Sequence, residues 1–163
     1  MSEKETLFSK GPPTGFKRLF FRFPLLLYKA GLGPLFGERF LKLTHTGRVS
    51  GLRRETVLEV VKHDSETGAC YVVSGWGRKS NWYLNILNTP CVEMQVKNRK
   101  FRADARELSR ERAASVLYDY SRRYPRAFGI LTEKFFGERL EVSEQSAIRL
   151  AESMPVIELV PSR

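Results

Sequence analysis

The sequence predicts an α+β fold: an antiparallel sheet or small barrel with helices before it, inserted in it and after it. Three observations lead there. Short runs of alternating apolar and polar residues recur between positions 39 and 107. The breaks between most of them are only long enough for turns, whereas parallel strands need long helical crossovers, so a doubly wound nucleotide fold is disfavoured. After Ser109 the apolar spacing changes to three and four residues, the period of an amphipathic helix.

The chain has 163 residues, of which 42% are hydrophobic and 12% aromatic, enough for one domain with a core of its own. Residues 1–14 are polar, end in "GPPTG" and read as a flexible tail; 15–161 read as the single domain. Its first part, 15–38, is an amphipathic helical segment in which Lys17, Arg18, Arg22 and Lys29 sit among Phe and Leu, and Pro24 should kink or restart the helix. Such a segment either packs across a sheet with its cations in solvent or lies on an anionic lipid surface. The apolar stretch "LFFRFPLLLYKAGLGPLF" is interrupted by Arg22, Pro24, Lys29, Gly31 and Pro34, too broken for the roughly 20 apolar residues of a spanning helix. With no secretory signal at the start, the expectation is a cytoplasmic protein with peripheral contact at the inner face of the membrane.

"RFLKLTH" (39–45) and "ETVLEVVKH" (55–63) alternate as strands, and in the second Thr56, Leu58 and Val60 face opposite to Val57, Glu59 and Val61. "DSETG" turns the chain into a third strand, "ACYVVSG" (69–75). "NWYLNILNTP" (81–90) is a short helix stopped by Pro90. "CVEMQV" (91–96) and "KFRADARE" (100–107) form a hairpin about "KNR". A helix runs from the Ser109 cap to Pro125, shorter helices follow near 127–137 and 143–153, and "PVIELVP" (155–161) is a last strand.

The net charge of +10 points to an anionic partner: nucleic acid, an acidic membrane or a phosphorylated small molecule. The two cysteines, Cys70 and Cys91, lie apart in strand-like runs and read as reduced, buried thiols. The two histidines, His45 and His63, lack ligand spacing, so no metal site is expected. Chemistry concentrates in two segments. In "LTHTGRVSGLRR", Gly47 and Gly51 free the backbone to approach an anion, while Arg48 and Arg54 can grip phosphate or carboxylate oxygens. In "VVSGWGRKSNWY", a strand ends in small residues beside which a flat ring could lie. Ser80 or Asn81 could cap the next helix, and Trp76 or Trp82 could border the ring; alternatively Trp82 and Tyr83 are core.

Taken together, "LTHTGRVSGLRR", "YVVSGWG" and "NWYLNILNTPCVEMQV", in that order and followed by a hairpin, resemble the deazaflavin-dependent nitroreductase and quinone reductase family. The resemblance spans about residues 39–107. It implies a split β-barrel of the flavin-reductase type that binds coenzyme F-420. Arg48, Ser50 and Arg54 would hold the phosphate and acidic tail. Backbone around Val57 and from Ser74 through Gly75 to Trp76 would line the ring, and Asn81 and Trp82 would complete the contacts. Val49 stands where the family commonly has a second basic residue, and Arg53 where it has proline, so one cation is lost and another gained.

The implied reaction is hydride transfer from the reduced deazaflavin to a quinone-like or nitroaromatic acceptor, with Ser74 or Tyr120 as candidate proton donors; Tyr118 and Tyr124 share the helix of Tyr120. Related branches of the fold use FMN, which is the alternative cofactor. A non-catalytic basic module is the other reading. The arginines, however, gather beside glycines instead of forming a stripe with exposed aromatics, so no nucleic acid partner is expected. Split barrels often pair through the sheet, and a homodimer is expected.

Overall fold

The computed structural model describes residues 24–162, which begin with helix α1 (24–29). After a 3-10 turn at Gly33–Phe36 come β1 (Phe40–Thr46), β2 (Arg53–His63) and β3 (Cys70–Val73). A second 3-10 turn, Gly77–Lys79, leads into α2 (Asn81–Asn88), followed by the hairpin β4 (Cys91–Val96) and β5 (Arg99–Glu107). Helices α3 (Arg110–Arg123), α4 (Pro125–Phe136) and α5 (Glu144–Ser153) precede the last strand, β6 (Val156–Pro161). The expected tail 1–14, and the expected amphipathic segment up to residue 23, lie outside the described residues.

All six strands pair antiparallel and close into a barrel in the order β1-β2-β3-β6-β5-β4. The period-2 pattern explains the closure. Leu41 and Leu43, Leu58 and Val60, Met94, and Ile157 and Leu159 all point into one buried cluster, and α2 adds Trp82, Tyr83 and Ile86 to it. The outer faces of β3 and β6 would be left apolar by Tyr71 and Val156. They are covered by Leu117 of α3, Phe128 of α4, and Leu150 and Ala151 of α5 in a second cluster. Val61, alternating outward from Val60, joins that outer cluster, and a register shift between Val60 and Lys62 sets Lys62 against Tyr71. Ser109 and Ser143 cap α3 and α5 by accepting from the amides of Arg112 and Ser146.

Two local expectations change. Pro125, read as the end of one helix, is also the first residue of the next, where its missing N–H is harmless. Cys91, the first residue of β4, is exposed, whereas Cys70 is buried inside the barrel and burial pushes its thiol up to about 11.

One irregularity positions the site. β2 has eleven residues and β3 only four, so β3 pairs with Val60–His63 alone. Arg53–Glu59 pair with β1 on one side and, among the described residues, with no strand on the other. Continuing the register Val60↔Val72 toward the loop sets Gly75 across from Val57. There β3 has already ended and the barrel wall is split.

Candidate cofactor site

The β1–β2 loop is tied across its base by Gly47 N–H donating to Leu52 O (2.8 Å), and Gly51 N–H donates to Gly47 O (2.8 Å). Gly51 adopts φ 66°, the left-handed region that glycine enters without penalty. A Cβ at Gly47 would stand 2.9 Å from Ser50 Oγ, so a side chain there would displace that hydroxyl. Ser50 Oγ accepts from Leu52 N–H (3.3 Å) and from Arg54 Nη2 (3.4 Å).

The three loop arginines have different partners. Arg53 is paired with Glu93 at 2.9 Å. Arg48 Nη1 donates to Asn85 Oδ1 (3.0 Å) and Asn81 Oδ1 (3.3 Å), and Nη2 also reaches Asn81 Oδ1 (3.3 Å). Arg48 and Arg54 are exposed, and among the described residues their hydrogen-bond partners are neutral oxygens of Asn81, Asn85 and Ser50. Two guanidinium groups of one loop without a carboxylate partner among the described residues suit phosphate or carboxylate oxygens.

The structure adds Asn85 of α2 to these residues. It is 5% exposed, and its Oδ1 also accepts the backbone N–H of Arg48 at 3.0 Å. Its Nδ2 lies 3.1 Å from His45 Nδ1. His45 is buried at the inward end of β1, and burial, reinforced by the Arg54 charge opposite it in the ladder, lowers its pKa to about 4. The available signal was the spacing Asn81-x-x-x-Asn85, which places both amides on one helix face.

Ser74 is fully buried. Its hydroxyl donates to Gly77 O (2.6 Å) and also contacts Ser80 Oγ, inside the turn that joins β3 to α2. Ser80 stands at the N-cap of α2 with its hydroxyl turned inward, so no side chain caps the first turn. Gly75 and Trp76 are half-buried beyond the end of β3. Trp82 is packed in the barrel core at 8% exposure, edge to face with Tyr83, where α2 closes the barrel end. The turn is braced from outside. Tyr83 Oη donates to Glu107 (2.7 Å), and Arg78 reaches both Tyr83 Oη (2.6 Å) and Glu107 (2.6 Å). Burial would raise the Glu107 carboxyl, but hydrogen bonds from Arg78 and Tyr83 outweigh it and hold the group below its usual range.

Val57 faces outward on β2, half-buried, two residues before Glu59 on the same face. Tyr120 Oη donates to Glu59 at 3.1 Å, and burial followed by the Glu59 charge pushes its hydroxyl well up. Tyr120 and Tyr124 line a cleft of about 470 Å³ with Glu59, Arg39 and Lys62. Tyr118 is absent from that lining and packs with the outer helical cluster. Arg54 and Glu59 are five residues apart on β2, roughly 17 Å at strand rise. Arginine loop, split wall and cleft therefore succeed one another along β2.

The chain resembles several solved structures. One is an F420-H2-dependent reductase (FDR-A), 22% identical over 76% of this chain and 95% of that one, with a TM-score of 0.48. Another is a domain-swapped dimer, 20% identical over 89% and 99% of the two chains, with a TM-score of 0.54. A third is a pyridoxamine 5'-phosphate oxidase-related, FMN-binding protein from Nostoc punctiforme, 12% identical over 93% and 83%, with a TM-score of 0.52. The last two show a shared fold, the split barrel. No curated protein matches. Residues 28–129, well over half of the chain and including the loop, the split wall and α2, match the F420H(2)-dependent quinone reductase family, and the chain belongs to that family.

Proposed function

We propose that this F420-dependent reductase binds its cofactor along β2, with the acidic tail at Arg48, Ser50 and Arg54 and the ring against Val57 and the Ser74–Trp76 backbone. The observation that carries the reading is that, among the described residues, two arginines without a carboxylate partner, Arg48 in the β1–β2 loop and Arg54 on β2, adjoin the half of β2 that no strand pairs on one side. Free backbone groups and Gly75 let a flat ring approach closely. Trp76 borders it, and Asn81 holds Arg48 in place. When bound, reduced F420 supplies a hydride from C5. The protein's part is to orient ring and acceptor in contact and to exclude water from the transfer.

The acceptor then lies toward the cleft, beside Tyr120. Tyr120 Oη is the proton donor we favour over Ser74, whose hydroxyl is enclosed in its turn. A planar oxidised acceptor, quinone-like and secondarily nitroaromatic, fits a cleft walled by two tyrosines with Arg39 over the Tyr124 ring at 5.8 Å. The test is acceptor-dependent oxidation of reduced F420, comparing a soluble menaquinone analogue with a nitroimidazole. Faster turnover of the quinone supports the reading, and turnover of neither removes the acceptor assignment.

Peripheral membrane contact and a homodimer belong to the same proposal. Among the described residues no helix is long and apolar enough to cross a membrane. The charge of +10 favours an anionic surface, and one fold relative is a domain-swapped dimer. Vesicle sedimentation with and without residues 1–23, and light scattering for mass, check the two points separately.

A further inference from the structure

We infer that His45 is a positioning residue of the cofactor site: with its ring proton on Nε2, it fixes the Asn85 amide in the one orientation that anchors the Arg48 backbone and guanidinium. The inference rests on the reading of the β1–β2 loop as the cofactor's anion site.

Donor and acceptor valence dictates each link. The Arg48 backbone N–H and Nη1 can only donate, and both lie 3.0 Å from one side-chain atom of Asn85. That atom must be Oδ1, since the amide nitrogen would present hydrogens to hydrogens. Nδ2 is then committed to His45 Nδ1 at 3.1 Å, and because Nδ2 donates, Nδ1 must accept. The ring proton is therefore on Nε2. His45 and Asn85 are each 5% exposed, so bulk water is poorly placed to replace a lost partner.

The surroundings keep the ring in this state. Arg54 stands opposite His45 in the β1–β2 ladder and α2 packs on it through Asn85. Among the described residues no carboxylate is paired with it, and burial together with the Arg54 charge opposes protonation down to about pH 4. A second ring proton would turn Nδ1 into a donor facing Nδ2. Relief by rotating Asn85 would aim its NH₂ at the Arg48 donors and release the loop. Arg48 would then be a free surface cation instead of one aimed across the start of α2.

The experiment uses the full chain and oxidised coenzyme F420, with Kd read by fluorescence. Arg48→Ala tests the anion site itself. His45→Leu should weaken binding about tenfold, while His45→Asn, whose Oδ1 can take the place of Nδ1, should stay within about twofold. In the protein without cofactor, ¹⁵N spectra should show His45 neutral with its proton on Nε2 from pH 8 to 5. Exchange of the Arg48 amide should accelerate in His45→Leu but not in His45→Asn. A proton on Nδ1, or an Arg48 amide indifferent to His45→Leu, overturns the inference. If Arg48→Ala binds F420 normally, the cofactor reading fails. The relay then stands or falls on Arg48 amide exchange alone. If Arg48→Ala weakens binding and His45→Leu does not, the anion site stands and the relay is overturned.

Discussion

At the scale of single residues, the loop arginines divide by their partners. Arg53 is matched by Glu93, whereas Arg48 and Arg54 rest on neutral oxygens. Arg53→Ala should therefore change F420 affinity little, while removal of either of the others should cost about tenfold or more, as loss of a charge-assisted hydrogen bond does. Isothermal titration of the three variants checks this. Tyr120, on α3, meets β2 farther along, at Glu59. Tyr120→Phe should leave F420 affinity intact and lower kcat with a quinone by about 100-fold if its hydroxyl delivers the proton. An unchanged kcat would assign Tyr120 only to packing and to its bond with Glu59. Gly51 tests backbone strain alone. At φ 66°, Gly51→Ala should destabilise the loop by about 1 kcal/mol, seen as a lower Tm with the core unaffected.

At the scale of elements, the strands were legible because each buries one face, and a one-residue slip would expose Leu41, Leu58 and Met94 together. The β4–β5 hairpin and the caps at Ser109 and Ser143 follow from local chemistry in the same way. What the sequence could not give was the packing of α2. Closing the barrel end turns Trp82 into the core and leaves the polar pair Asn81 and Asn85 at the loop. Nor could it give the early end of β3, since "ACYVVSG" alternates past the point where pairing stops. The Arg78–Tyr83–Glu107 brace makes the α2 end pH-sensitive. Glu107 has a lowered folded pKa, so its stabilisation is present above the ordinary carboxylate value and is lost as pH falls through the folded value. The Tm of wild type should exceed that of Glu107→Gln at pH 7, and the gap should close as pH drops from 5 toward 3. A gap that persists at pH 3 would mean the brace is held by shape and not by charge.

For the whole molecule, the closed barrel places the arginine loop, the unpaired half of β2 and the Tyr120 cleft along one strand, and the proposed reading assigns them to tail, ring and acceptor. Fold class and order of elements were readable because they depend on period and local residue type. The cleft was not, because it joins β2 to the end of α3, partners separated by sixty residues of chain. Charge acts at this scale too. With +10 overall, association with the polyanionic cofactor should slow as salt rises, and if steering operates the slowing should fall mainly on the association rate. Stopped-flow binding at several ionic strengths measures it. The most direct test of the central claim is a parallel fluorescence titration with F420 and with FMN, using protein produced in a host that makes no deazaflavin. Micromolar or tighter binding of F420, weaker binding of FMN, and loss of F420 affinity in both Arg48→Ala and Arg54→Ala is the predicted result. Preference for FMN, or F420 binding indifferent to both arginines, would contradict it.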